Sequence, residues 1–226
     1  MSSSIKYKII YSKRKTIKIA IDNNGEVIVT APENISTEAI DNVIKKRTNW
    51  INDKLNEIKN RITLPKDSIL YLGELRKVKV IIQKYLKKEF VVEHNNLFII
   101  NVRSQDNVIK VLKNYLIQEF DAIVRVKVKN YEKYFKMKPI DIKVKDVKSK
   151  WGSCTYDNKL CFNYRLIMAN EEIIDYVIIH EMCHMVHKNH SKDYWNLVEK
   201  LYPIYKKCDK WLKENGYLLQ ILHLQP

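Results

Sequence analysis

Apolar residues alternate with polar ones along the first part of the chain, with the period of two that is typical of β-strands. Residues 5–11 and 17–21 alternate in this way, and residues 27–29 continue the pattern after the pair Asn24-Gly25. Alternating runs on both sides of an Asn-Gly pair predict a β-hairpin.

A change to helical spacing follows at Ser36, and it predicts one helix that continues to about Ile58. Alternation then returns in residues 75–82, 90–92 and 97–100, which predicts three more strands. The first 103 residues are therefore predicted to be a strand-rich region with one helix, and they contain no catalytic motif.

The second half of the chain has longer helical patterns. An apolar stripe predicts a helix over residues 104–136, and Pro139 ends it. Residues 140–147 and 160–166 have the composition of strands. The second is a candidate rim strand to which an extended peptide could add, and an ordinary core hairpin is an equal alternative.

Three more helices are predicted after these strands. Asn170 is a suitable N-cap for the first and Ser191 for the second, and the last ends at Gly216. Together these elements predict an α+β protein with two domains, residues 1–103 and residues 104–226.

Composition sets limits on this picture. The chain has 226 residues, 46% of them hydrophobic, which indicates a globular protein, and its formal net charge is +15. An excess of lysine makes nucleic acid or a nucleotide a candidate partner, although the same bias is typical of AT-rich genomes. The absence of a long apolar segment predicts a cytoplasmic protein without a membrane span. The four cysteines form no C-x-x-C pair, so neither a disulfide framework nor a cysteine zinc site is predicted.

The strongest chemical signal is the segment from His180 to His190, which begins with H-E-x-x-H. On a helix, His180 and His184 lie one turn apart on the same face and can bind one metal ion. Glu181 is next to the first ligand, where a general base for a metal-bound water is needed.

A catalytic zinc ion usually has a third protein ligand. His187 lies a turn further along the helix axis, so a straight helix does not bring it easily to the same ion. We predict His190 instead, on the expectation that the helix ends near Asn189 in a left-handed conformation. Glu199 is a lower-ranked alternative.

Three segments together resemble the YgjP-like metallopeptidase family, which is grouped with the SprT-like and WLM proteases of the zincin class. They are residues 151–154 (WGSC), residues 162–166 (FNYRL) and residues 180–195 (HEMCHMVHKNHSKDYW). The resemblance implies a zincin-like metallopeptidase domain with a protein or peptide substrate. It also implies zinc ligands at His180, His184 and His190 and a catalytic glutamate at Glu181.

The predicted function is therefore zinc-dependent hydrolysis of peptide bonds by an endopeptidase, with Glu181 as general base. Arg165 and Tyr194 are guesses for the group that stabilises the oxyanion. Two alternatives remain open at this stage. One is a metal-dependent nucleotide phosphohydrolase, and the other is a DNA-associated protease or zinc-containing binding module.

Overall fold

The alternating burial of Val27, Val29 and Ala31 builds the first sheet, because every second side chain of this strand enters the core. The computed structural model describes residues 5–22, 24–147 and 149–220. The first strand pairs in parallel with the third, and the second pairs with the third in antiparallel, as the predicted hairpin requires. The three strands are β1 (Tyr7–Ser12), β2 (Lys18–Ile21) and β3 (Val27–Pro32).

Two helices stand where one was predicted. Ser36 caps α1 (Thr37–Lys46) by accepting a hydrogen bond from the backbone N–H of Ala39, and α2 (Thr48–Lys59) follows after Arg47. The Thr48 hydroxyl donates to the carbonyl of Ile44, and this local bond competes with a regular helix ladder. Periodicity alone did not reveal the break, because the apolar spacing continues across it.

A four-stranded sheet forms the next part of the chain. Its strand order is β4-β5-β7-β6, in which the β5–β7 pair is parallel and the other two pairs are antiparallel. The strand β4 was not predicted, since four residues give too short a pattern. The strands are β4 (Ser68–Tyr71), β5 (Glu74–Ile82), β6 (Phe90–His94) and β7 (Leu97–Val102).

The long helix α3 (Val108–Tyr131) covers one face of this sheet. Its buried stripe runs at every fourth residue from Val108 to Val128 and enters the same core as Phe98 and Ile100. The helix begins four residues later than predicted and ends five residues earlier, at the 3-10 turn of Glu132–Tyr134.

The third sheet has three strands and includes parts of the WGSC and FNYRL segments. Its order is β8-β10-β9, with β10 parallel to β8 and antiparallel to β9. Its strands are β8 (Asp141–Lys145), β9 (Gly152–Cys154) and β10 (Lys159–Asn163), and the 3-10 turn Tyr164–Met168 follows. Three helices end the described chain: α4 (Glu171–Val186), α5 (Lys192–Leu201) and α6 (Tyr205–Asn215).

The mixed α+β class predicted from the sequence is confirmed. Compactness divides the chain into residues 1–63 and residues 64–226, and each unit has its own hydrophobic core. The domain boundary predicted after residue 103 lies within the second unit, where β7 and α3 share a core, and it stays a prediction. Among the described residues, no helix is both long and apolar enough to cross a membrane.

Candidate metal centre

The helix α4 presents the H-E-x-x-H segment at its C-terminal end. Its N-cap is Asn170, whose side-chain oxygen accepts from the backbone N–H of Ile173 at 3.1 Å. Glu171 and Glu172 in the first turn suit the positive end of the helix dipole. Most of the helix is buried, as the apolar run from Ile173 to Ile179 predicts.

The end of α4 differs from the expectation. The helix stops at Val186, and His187 is extended, with φ −122° and ψ 112°. Asn189 is not among the described residues with positive φ, so the predicted left-handed bend at this position is wrong. An extended residue redirects the chain at lower conformational cost than a left-handed asparagine.

Three imidazole rings meet at this bend. The Nε2 atom of His190 lies 3.2 Å from Nε2 of His184 and 3.3 Å from Nε2 of His180. A tetrahedral zinc ion with bonds of 2.0–2.1 Å separates its ligand atoms by about 3.3–3.4 Å. Both distances from His190 therefore match the spacing of ligand atoms on a tetrahedral zinc ion, and one ligand atom from each of the three rings lies within 4.8 Å of the others.

The protonation of His184 is fixed by its surroundings. Its Nδ1 atom lies 3.0 Å from the backbone carbonyl of His187. A carbonyl only accepts, so Nδ1 carries the proton and Nε2 presents a lone pair. The supporting group is thus the main chain of His187, while its imidazole lies outside the three-histidine cluster found in the described residues.

Burial favours the neutral form of two of the three rings, His180 and His184. Desolvation lowers the pKa of His180 to about 4, helped by the charges of His184 and His190, and desolvation also lowers the pKa of His184. Neutral imidazoles are the form that binds metal. The Nδ1 atom of His180 is buried without a hydrogen-bond partner among the described residues.

Aromatic side chains of α5 hold the rings in place. Tyr194 stacks on His184 with ring centroids 4.4 Å apart, and Trp195 stacks on His190 at 5.5 Å. Both aromatic residues follow the N-cap Ser191, whose hydroxyl accepts from the backbone N–H of Tyr194. The sequence predicted these rings as core residues, and it did not predict their contact with the histidines.

Glu181 lies beside the cluster and is only 5% exposed. Desolvation raises the pKa of its carboxyl to about 8, against the opposing effects of the Lys150 charge and a hydrogen bond from the backbone N–H of Cys154. A Cβ atom on Gly152 would lie 2.6 Å from both Cγ and Oε1 of Glu181. The carboxylate therefore packs directly on the backbone of β9.

The strand β9 is one of the two edge strands of this sheet, and β8 is the other. β10 was only a candidate rim strand, and it has no edge to which a peptide could add, because β8 and β9 pair with both of its sides. The N–H of Thr155 and the carbonyl of Trp151 bond to the β10 side. By the alternation of an antiparallel ladder, Gly152 and Cys154 direct their backbone groups toward the free edge.

A comparison with protein-family models adds to this geometry. The model described as "YgjP-like, metallopeptidase domain" matches residues 15–215. The chain belongs to the YgjP-like family. The match includes the strand-rich first half, beyond the segments that carry the sequence resemblance, and it makes the protein a metallopeptidase.

Two further comparisons add little to this assignment. The YgjP-like chain is 18% identical to the structure titled "Crystal structure of the metallopeptidase zymogen of Pyrococcus abyssi abylysin", with 41% of this chain and 95% of that chain covered. The TM-score is 0.38, a likeness too loose to support an argument. A comparison with curated proteins gave no match.

Three residues considered from the sequence have other partners in this YgjP-like protein. Arg165 donates to Asp146 and Gln220, and the Tyr194 hydroxyl donates to the backbone carbonyl of His180 at 3.1 Å. Both groups therefore have partners within the protein, and their role towards an oxyanion stays a prediction. Glu199 pairs with Lys206 and lies outside the histidine cluster of the described residues.

The FNYRL segment has a role that the sequence did not reveal. The buried Asn163 side chain donates to the carbonyls of Val147 and Lys150, at 2.7 and 3.1 Å. Arg165 binds Asp146 in the same loop. These bonds hold the segment that leads into β9, and thereby the backbone on which Glu181 packs.

Proposed function

We propose that this metallopeptidase is a zinc-dependent endopeptidase in which His180, His184 and His190 hold the metal and Glu181 is the general base. The observation that carries the proposal is the convergence of three Nε2 atoms beside a buried carboxylate. An all-imidazole donor set with an open position is typical of catalytic zinc.

When bound at these three nitrogens, the metal ion supplies a water of lowered pKa and polarises the scissile carbonyl. Glu181 then takes a proton from that water and gives it to the leaving amine. Burial supports this exchange, because a carboxyl with a raised pKa both accepts and releases protons near neutral pH.

The substrate is proposed to be an extended peptide that lies along the free edge of β9. Gly152 offers its backbone groups there and Cys154 its carbonyl, since the Cys154 N–H donates to Glu181. Main-chain hydrogen bonds hold a peptide whatever its side chains. The same strand contacts Glu181, so a peptide bound to β9 has its backbone next to the base and the histidines.

The other candidate functions receive no support. Membership of a metallopeptidase family favours peptide over nucleotide substrates. Binding of nucleic acid through the basic surface, and a cytoplasmic location, stay predictions from composition.

Two substitutions test the proposal. We expect Glu181→Gln to keep the metal and to lower the cleavage rate of a denatured protein about 10²–10⁴-fold, since it removes only the base. We expect His190→Ala to lose most of its metal. Metal content is measured by mass spectrometry of the purified proteins, and cleavage by identification of new peptide termini.

His187→Ala is the matched control. Only the main chain of His187 contacts His184, so this variant keeps both metal and activity. Full metal content in His190→Ala would remove the third ligand from the proposal. Wild-type rates in Glu181→Gln would remove the base.

A further inference from the structure

A cleft of about 350 Å³ opens next to the metal centre. Its lining includes His180, Glu181 and Gly152, which are a proposed ligand, the proposed base and a residue of the free edge strand. The cleft is therefore continuous with the site of bond cleavage. A peptide along β9 would direct a side chain next to the scissile bond into it.

The walls of the cleft beyond these residues are mostly apolar. Tyr176 and Val177 come from α4 and Leu212 from α6, and all three are less than 10% exposed. Trp151 forms a further wall, and it packs closely on Gly216, where an added Cβ would lie 2.8 Å from its ring. Such walls favour an apolar side chain, because its burial releases water from both surfaces.

The charged groups of the cleft are two lysines, Lys150 and Lys213, and two acids, Asp209 and Glu181. Asp209 forms an ion pair with Lys213 at the wall. The other carboxylate, Glu181, is buried and feels the charge of Lys150. In the part of the chain that the structure describes, Lys150 lines the cleft and forms no ion pair, so no carboxylate within ion-pair distance offsets its charge. A substrate lysine or arginine would lose hydration here and meet a like charge.

We infer that this cleft is the specificity pocket of the enzyme and takes one large, uncharged apolar side chain, such as leucine, methionine or phenylalanine, while Lys150 rejects basic residues. The inference rests on the proposed function, because it states which side chain the cleft prefers in a peptide bound along β9 at the metal centre.

A two-stage cleavage experiment tests it. The metal-loaded enzyme is first incubated with a peptide library, and mass spectrometry of the products gives the residue preference at each position around the cut. We expect one position to be enriched in leucine, methionine or phenylalanine and depleted in lysine and arginine. At that position, replacement of leucine by alanine in a single peptide should lower kcat/KM about tenfold or more.

Lys150→Glu then tests the assignment of the pocket. It should raise kcat/KM for the peptide with lysine at that position about fivefold relative to the leucine peptide, because the new carboxylate can pair with it. Lys210→Glu is the matched control, with the same charge change at a residue of α6 that does not line the cleft. It should leave the ratio unchanged.

The outcomes separate the two proposals. Cleavage without a preference at any position, or a preference that Lys150→Glu does not alter, would overturn the pocket assignment and leave the peptidase intact. No cleavage of any peptide by metal-loaded enzyme would overturn the proposed function together with the inference that depends on it.

Discussion

Gly152 is a residue at which the absence of a side chain matters to the chemistry. Glu181 occupies the space where its Cβ would stand, and both residues are enclosed by β9 and α4. An alanine would push the carboxylate away from its place on the β9 backbone, where it would act on a water of the bound metal. Displacements of about 1 Å in such a group can cost about 100-fold in rate.

We therefore expect Gly152→Ala to lose about 100-fold in cleavage rate with unchanged metal content, measured on the same denatured protein substrate. Ser153→Ala is the control, since the neighbouring residue pairs with Cys161 and makes no contact with Glu181 in the ladder. A fully active Gly152→Ala would show that Glu181 tolerates the shift.

Glu181 itself is expected to destabilise the metal-free protein. Its folded-state pKa of about 8 is above the ordinary value of 4.5, so ionisation of the carboxyl opposes folding. Below pH 4.5 the carboxyl is protonated in both the folded and the unfolded chain, so it does not change the free energy of unfolding. Between pH 4.5 and 8 the folded state is progressively weakened, and above pH 8 the cost is constant.

The variant Glu181→Gln should remove this dependence. In the presence of a chelator we expect its Tm to equal that of the wild type near pH 4 and to exceed it by a few degrees at pH 8, measured by thermal unfolding across that range. A difference in Tm that does not change with pH would mean that the carboxyl is not desolvated as described.

At the scale of elements, α4 decides the site because one helix carries two proposed ligands and the proposed base. Its start depends on Asn170, whose Cβ and backbone pack on Gly73 at the turn between β4 and β5. Loss of an N-cap typically costs about 1 kcal/mol. In a protein of this size that corresponds to a decrease in Tm of about 2–4 °C.

Asn170→Ala should show this decrease in a thermal unfolding measurement. Asn170→Asp should not, because its carboxylate can accept the same bond from Ile173 and has the same shape. Equal losses in both variants would mean that contact with Gly73, and not the cap, accounts for the effect.

At the scale of the whole molecule, local sequence patterns predicted most helices and strands but few of the contacts between them. Periodicity and capping chemistry act within a few residues. They account for the β2–β3 hairpin, the caps at Asn170 and Ser191 and the buried stripe of α3. The edge position of β9, by contrast, depends on which strands pair, and pairing joins residues that are distant in sequence. The sequence therefore left open whether β10 is a rim strand, and it did not point to β9.

The candidate ligands could be predicted because spacing along a helix places His180 and His184 on one face whatever the rest of the fold does. Only the tertiary structure decided the surroundings of the site: the Gly152 and Cys154 backbone against Glu181, the Tyr194 and Trp195 rings against the histidines, and Arg165 in a supporting role. Each of these depends on packing between separate elements. Burial and strand order arise from the whole core, and no short segment of sequence carries that information.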